Sequence, residues 1–257
     1  MTASHAVALK PVRGVGGFFA TSLDTFIAIP RVPFAWREFL IQAWFVMRVS
    51  TVPAIMLAIP FIAETDFMLN VLLQSIGAAD LSGTSAAIAV VAQLGPLITA
   101  LVVGGAAATA MCADLGARTI REELDALRVM GIDPIQSLVV PRVLAATLSA
   151  TFLSAIVSTT GLTAAYFFSV YVQNVTPGAW ASSLTLLVHL PDVIIGLVKA
   201  ALFGLAGSLI ACYQGINVGG GPAGVGNAVN ETVVYTFMAL FVLNVVVTAV
   251  AFKVAPQ

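Results

Sequence analysis

Five long apolar runs separated by short polar segments constrain this chain more than any other feature. Hydrophobic residues make up 60% of the sequence and charged residues only 9%, whereas about a quarter of the residues in an average soluble domain are charged. The runs are long and do not alternate apolar with polar residues, so they favour membrane-spanning helices over a β-barrel. We therefore predict an all-α integral membrane protein. The net charge of −1 gives no electrostatic case for binding nucleic acid.

The apolar runs also predict how the chain is divided. Residues 1–48 are expected to form N-terminal cytoplasmic or interfacial helices, because residues 34–48 mix aromatic rings with charges, as helices at a lipid–water interface do. The remaining residues, 49–257, are expected to form one five-span domain. The predicted spans are residues 49–76, 84–113, 137–168, 193–213 and 232–252.

Proline, glycine and asparagine residues predict where the chain bends and turns. Pro96 is expected to bend the second span. Residues 171–191 predict a loop outside the membrane with a short surface helix. Residues 214–230 are rich in glycine and predict a flexible turn, after which Asn227 or Asn230 caps the last helix.

One segment, residues 118–142, contains eight of the 23 charged side chains. It predicts a short amphipathic helix over residues 119–131, with Thr119 and Glu122 spaced as a capping box and Gly131 at the C-terminal end. One face of this helix is apolar at helical spacing: Ile120, Leu124, Leu127 and Met130. A rigid charged helix between two membrane spans is suited to transmit force to a partner in water.

The distribution of basic residues predicts the orientation of the chain. Five of the eleven Lys and Arg residues lie within residues 1–48, and four lie within residues 118–142. Basic residues concentrate on the cytoplasmic side of a membrane protein. The N-terminus and the charged segment are therefore expected in the cytoplasm. With five spans, the C-terminus is expected outside.

The sequence contains no catalytic or nucleotide-binding motif. Residues 219–224 are glycine-rich but lack the lysine and the Ser or Thr of a phosphate-binding loop. Cys112 and Cys212 are expected to be buried, free side chains. We therefore expect neither enzymatic activity, nor a metal, nor a cofactor in this chain, and energy for transport would have to come from a partner or an ion gradient.

Glu64, Asp66 and Lys199 fall inside the predicted spans, where ionisable groups are costly and often functional. Glu64 and Asp66 lie near the end of the first span. They line a substrate path, or they lie on a projecting end beyond the hydrocarbon, where they could also recognise a partner. Lys199 lies within the fourth span, and its amine either extends to the interface or faces a cavity.

Several ordered motifs resemble the MlaE/YrbE permease family, the membrane subunits of ABC transporters that work with MCE proteins. The motifs are Leu94-Gly95-Pro96, Ala113-Asp114-Leu115-Gly116, Glu123-Leu124-Asp125-Ala126-Leu127, Met130-Gly131-Ile132-Asp133-Pro134 and Val140-Pro141-Arg142. The resemblance extends from about residue 12 to the end of the chain. Three further segments are most similar to the "A" subunit of the actinobacterial (mycobacterial) YrbE branch: Arg37-Glu38-Phe39, Gln173-Asn174-Val175 and residues 227–232.

The resemblance implies a fold and a set of partners. It implies an interfacial helix followed by five spans, paired as a heterodimer with a second YrbE-like permease in the plasma (inner) membrane. It also implies a cytoplasmic ABC ATPase that binds ATP and Mg, an MCE protein hexamer on the outer side, and import of a hydrophobic lipid, namely a fatty acid, a mycolic-type acid or a sterol.

The resemblance further implies roles for individual residues. The charged segment would be the coupling helix that docks on the ATPase, through Arg121, Glu122, Glu123, Leu124, Asp125, Leu127, Arg128, Met130 and Asp133. The acidic residues and Arg128 would make polar contacts, while the apolar residues would pack on the permease or in the ATPase cleft. Candidates for the substrate path are Glu64, Asp66, Gln93 and Pro96.

The second span departs from the family pattern. Ala92, Gln93 and Ala106 stand where Gram-negative members have charged residues, and Asp114 replaces a glutamate. This loss of charge fits a heterodimer of diverged halves and a substrate without a phosphate. The alternative to an ATP-driven permease is a stand-alone secondary lipid transporter or channel. Dependence of transport on an ATPase, as opposed to an ion gradient, separates the two.

Overall fold

A computed structural model describes residues 3–31 and 34–254. This part of the chain is all-helical. Its helices are α1 (Ala3–Ala28), α2 (Trp36–Ser75), α3 (Ala79–Ile120), α4 (Glu123–Val129), α5 (Ile135–Tyr171), α6 (Pro177–Ser183), α7 (Leu190–Ile216) and α8 (Gly221–Val254). Helices α2, α3, α5, α7 and α8 are long and apolar enough to cross a membrane. The predicted all-α fold with five spans is therefore confirmed.

The predicted interfacial helix and first span form one continuous helix, α2, of 40 residues. Such a helix is ~60 Å long, about twice the thickness of a hydrocarbon core. Its buried residues recur at every fourth position and form a single stripe: Gln42, Val46, Ser50, Ala54, Ala58, Ile62, Asp66 and Asn70. The stripe packs mainly along α5. It is apolar and small in the middle and polar towards both ends.

The second span, α3, is irregular. It begins with a 3₁₀ turn, and two π-helical segments, Ile88–Leu94 and Val103–Ala107, interrupt it. Pro96 lies in the first turn after the first π-helical segment, where its missing N–H is tolerated. Gly104 lies against α8 so closely that a Cβ there would be 2.9 Å from the Thr236 methyl group. Small residues of α3 therefore serve close helix packing.

The charged segment differs from its prediction at its start. Thr119 does not cap a new helix, because it lies in the last turn of α3 and its hydroxyl donates to the carbonyls of Leu115 and Gly215. The chain instead turns at Glu122, whose φ is +58°, and α4 begins at Glu123. Gly131, with a φ of +76°, follows the end of α4 as predicted.

The turn before the last span is shorter than predicted. Helix α7 ends at Ile216 and α8 already begins at Gly221, with Pro222 in its first turn. Asn227 and Asn230 therefore lie within α8, and the prediction that one of them caps it is wrong. The short helix predicted in residues 171–191 is present as α6 (Pro177–Ser183). Its Trp180 is buried against the ring of Tyr166.

Candidate functional site

The α3–α4 turn and α4 form a charged surface at one end of the bundle, which we call the charged end. Short ion pairs fix its shape. Arg118 lies 3.3 Å from Asp114 and 3.9 Å from Glu123, and Arg121 lies 2.8 Å from Glu123. Arg128 pairs with Asp125 at 2.8 Å. Exposed pairs of this kind add little stability, so they mainly hold the side chains in one arrangement.

The apolar residues of the charged end divide into two groups. Leu124 is buried and Leu127 packs against the core of the bundle. Met130 and Val129 instead point away from it, since 64% and 88% of their respective surfaces are exposed. Sequence periodicity missed Val129, because it treated the apolar face as one stripe. The charged end thus presents acidic side chains next to exposed apolar ones.

A buried arginine joins three helices directly beneath α4. Arg142, near the start of α5, is fully buried. Its Nη2 donates to Asp114 Oδ2 of α3 and lies 3.3 Å from Glu38 Oε1 of α2. The Gln42 amide donates to the same Glu38 oxygen. This connection was missed from the sequence, because the three charges lie far apart along the chain.

A second contact anchors the loop that follows α4. Asp133 accepts a hydrogen bond of 2.9 Å from the backbone N–H of Ile135, at the start of α5. Its other carboxylate oxygen lies 3.7 Å from Arg31, in the turn that follows α1. Asp133 therefore orders the loop and links it to α1, so it is less available for an external partner than Asp125.

Lys199 lies in the middle of α7 and is buried, with 2% of its surface exposed. Its amine donates to Gln93 Oε1 at 2.6 Å, to Thr248 Oγ1 at 2.9 Å and to the Ala92 carbonyl at 3.4 Å. It is thus held between α3, α7 and α8, and of the alternatives left open it does not extend to the interface. All three partners are neutral, so within the described residues its charge is not balanced by a carboxylate.

Glu64 and Asp66 are separated by the fold. Glu64 is exposed, whereas Asp66 is buried against α5 and accepts a hydrogen bond of 2.6 Å from Ser169 Oγ. Two residues along a helix correspond to about 200° of rotation, which places the two carboxylates on opposite faces. They cannot line one path together within this chain.

Comparison with known proteins identifies the family. A family model described as Permease MlaE matches residues 39–250. The chain belongs to the MlaE permease family. A "Probable ABC transporter permease protein" of Rickettsia conorii is 32% identical over 254 residues, which cover 96% of this chain and 95% of that protein. Another, from Rickettsia typhi, is 36% identical over 162 residues, which cover 63% of this chain and 62% of that protein.

A third relative carries a more specific name. The "Intermembrane phospholipid transport system permease protein MlaE" of Haemophilus influenzae is 28% identical over 171 residues, which cover 66% of each chain. All three relatives are named as permease proteins, and this chain is likewise a multi-pass membrane permease of the MlaE family.

This permease also has a groove between α2 and α5. Its volume is about 680 Å³ and it opens at the surface. Thr159 and Thr163 line it, but their hydroxyls already donate to carbonyls of their own helix. The rings of Phe167, Phe168 and Tyr171 complete the wall. An apolar chain fits such a surface, whereas a polar headgroup finds few partners there.

In the part of the chain that the structure describes, no three His, Cys, Asp or Glu side chains come together as ligands for a metal ion. Cys112 and Cys212 are both buried and free. Of the candidates for a substrate path, Gln93 contacts Lys199 directly, and buried Pro96 lies near Gly196 of α7. The structure thus brings Gln93 and Lys199 together and places Asp66 in a separate cluster.

Proposed function

We propose that this chain is the transmembrane permease subunit of an MCE-type ABC transporter that moves hydrophobic lipids. ATP and Mg would be bound and hydrolysed by a separate cytoplasmic ATPase, and the permease itself would carry no cofactor. The observation that carries this proposal is the charged end: an exposed helix, α4, that buried Leu124 fastens to spans joined by the buried Arg142.

The geometry of the charged end supports a docking role. Glu122, Glu123 and Asp125 are available for polar contacts, and exposed Val129 and Met130 can enter an apolar cleft. Buried Leu124 fastens α4 to the bundle. Because Arg142 ties Asp114 and Glu38 together beneath it, a push on α4 would reach α2, α3 and α5 as one body.

The interior supports an apolar or weakly acidic cargo. Lys199 of α7 and Gln93 of α3 form a polar contact between spans that have few other polar groups. An acidic headgroup such as a carboxylate would balance the charge of Lys199. The groove between α2 and α5 has room for an apolar chain. We therefore favour a fatty acid or mycolic-type acid over a sterol, with import as the direction.

The fifth span supports pairing with a second permease. Only 11% of the apolar window of α8 is buried, compared with 56%, 61% and 50% in α3, α5 and α7. We propose that a second YrbE-like subunit covers part of α8, and that this chain is the "A" subunit of an actinobacterial-type heterodimer. An MCE hexamer would lie on the outer side of the plasma (inner) membrane, with the N-terminus of the permease in the cytoplasm and its C-terminus outside.

Reversing the charges of α4 tests the proposal. Changing Glu122, Glu123 and Asp125 to Lys should release the ATPase from the purified complex while the permease remains inserted, because exposed charges of this helix would face the partner directly. The measurement is affinity purification through the permease followed by mass spectrometry of proteins and lipids. Glu122 and Asp125 are exposed, and half-buried Glu123 pairs only with partly exposed arginines, so folding should be little affected.

A matched control is available at the same end of the bundle. Glu231→Lys reverses an exposed charge whose partner is Gln214, and it should leave the ATPase bound. If the triple variant also retains the ATPase, α4 is not the docking element. If the wild-type permease copurifies without any ATPase and its transport follows an ion gradient, the secondary-transporter function replaces the one proposed here.

A further inference from the structure

The end of the bundle opposite the charged end contains a buried polar cluster between α2 and α5. We call it the Asp66 cluster; its members are Asp66, Asn70, Ser169 and Gln173. Asp66 and Asn70 lie one turn apart on α2, with 2% and 1% of their surfaces exposed. Since α2 is continuous, Asp66 lies ~42 Å along the helix from Glu38. The cluster is therefore separate from the ATPase-docking region.

Among the residues that the structure describes, Asp66 forms no ion pair that would balance its charge. Ser169 Oγ and Asn70 Nδ2 donate to Asp66 Oδ2 at 2.6 and 3.1 Å, and both donors are neutral. The sequence has no Lys or Arg between residues 49 and 117 or between residues 143 and 198, which covers the lengths of α2 and α5 near the cluster. A buried carboxylate without a counter-charge is costly, and such groups are normally paired or bind a metal ion.

The cluster has more oxygen acceptors than hydrogen-bond donors. Asn70 Nδ2 lies 3.1 Å from Asp66 Oδ2, 2.9 Å from Ser169 Oγ and 2.5 Å from Gln173 Oε1, although an amide nitrogen has only two hydrogens. Meanwhile Asp66 Oδ1 and Asn70 Oδ1 are buried and have no hydrogen-bond partner among the described residues. These two buried acceptors on adjacent turns lack a donor. A cation would satisfy both, because it would neutralise the carboxylate and coordinate the two oxygens.

We propose that the Asp66 cluster binds a small monovalent cation, with Na⁺ as the ion that fits. The oxygens of Asp66, Asn70 and Ser169 would be its ligands. One carboxylate balances one positive charge, whereas a divalent ion would leave an excess charge within the bundle. Gln173 is only partly buried and its amide donates to the Phe67 carbonyl at the surface, so it marks the route by which an ion enters.

The bound cation would fasten α2 to α5 at this end, whatever lipid the permease carries. Thermal unfolding of the full-length permease in detergent tests this, in NaCl, KCl or choline chloride at constant ionic strength. Na⁺ should raise Tm in a saturable manner, by roughly 5–10 °C at a hundredfold excess over its Kd. Equilibrium binding of radioactive Na⁺ should give one ion per chain.

Two variants and a matched control separate the outcomes. Asp66→Asn should abolish both Na⁺ binding and the Na⁺-dependent rise in Tm. Glu64→Gln removes an exposed carboxylate from the same turn of α2 and should retain both. If Asp66→Asn fails to fold, Ser169→Ala keeps the charge and should weaken Na⁺ binding several-fold. Equal Tm values of the wild type in NaCl and choline chloride, or a response to divalent ions alone, would overturn the proposal.

Discussion

The two ends of the bundle treat buried charge in opposite ways. At the charged end, Arg142 is fully buried but contacts two carboxylates, Asp114 and Glu38. At the opposite end, Asp66 is almost as deeply buried, and its hydrogen bonds come only from the neutral Asn70 and Ser169. Both sites join α5 to α2, so the same pair of helices is fastened once by a balanced charge and once by an unbalanced one.

This difference indicates what each end does. The charge at Arg142 is balanced by its own carboxylates, although Arg142 Nε and Nη1 are buried without a hydrogen-bond partner among the described residues. The cluster therefore needs no ion from outside to hold α2, α3 and α5 together. An unbalanced carboxylate depends on something supplied from solution, so its stability responds to conditions. The charged end is therefore the rigid joint of the permease, and the opposite end is the one whose packing an ion can control.

The largest effect is expected from removing the buried arginine. Arg142→Met leaves Glu38 without a cation and Asp114 with Arg118 alone, so we expect a loss of about 2–3 kcal/mol in the free energy of unfolding. Both carboxylates are partly exposed, which keeps the loss below that of two fully buried charges. Denaturant or thermal unfolding in detergent measures it.

The matching control removes the two acids together with the arginine. Arg142→Met combined with Asp114→Asn and Glu38→Gln removes both acids that would lack Arg142, leaves Arg118 paired with Glu123, and should recover most of the lost stability. If the triple variant is no more stable than Arg142→Met alone, packing around the long arginine side chain, and not charge balance, holds the three helices together.

The sequence predicted what depends on local pattern. Hydropathy predicts five spans, because each apolar span must satisfy its backbone hydrogen bonds internally as a helix. The glycine at position 131 predicts the end of α4. The contacts of Arg142 with Asp114 and Glu38 could not be predicted, since they require three helices to meet. The separation of Glu64 from Asp66 could have been predicted from the sequence, because residues two apart on a helix face opposite ways.

The errors arose where a local signal competed with tertiary contacts. Thr119 has the spacing of a cap, but its hydroxyl bonds to Gly215 across the bundle, so α3 continues past it. The glycine-rich residues 214–230 predicted a flexible turn, yet α8 begins among them, because Pro222 is suited to the first turn of a helix. Asn227 and Asn230 consequently lie too late in α8 to cap it.

A smaller effect on stability is expected at Lys199, which resembles Asp66 in lacking a charged partner. Lys199→Met removes the cost of burying the amine but leaves the acceptors of Gln93 and Thr248 without their donor. These contributions oppose each other, so the free energy of unfolding should change by about 1 kcal/mol or less. Transport of an acidic lipid should fall more than transport of a sterol, measured in vesicles that contain the complete complex. An equal loss for both lipids would remove Lys199 from substrate recognition.

The smallest effect is expected for an exposed ion pair at the charged end. Arg128 and Asp125 are 2.8 Å apart, but 60% and 69% of their side-chain surfaces are exposed. Solvent screens such a pair, so Arg128→Met should change the free energy of unfolding by no more than about 0.5 kcal/mol. ATPase activity of the complex should nevertheless fall if Arg128 contacts the ATPase. Comparing the losses in the free energy of unfolding for Arg128→Met and Arg142→Met thus shows how burial changes the contribution of a charged side chain at this end of the bundle. Similar losses from both variants would show that burial does not set the contribution of charge there.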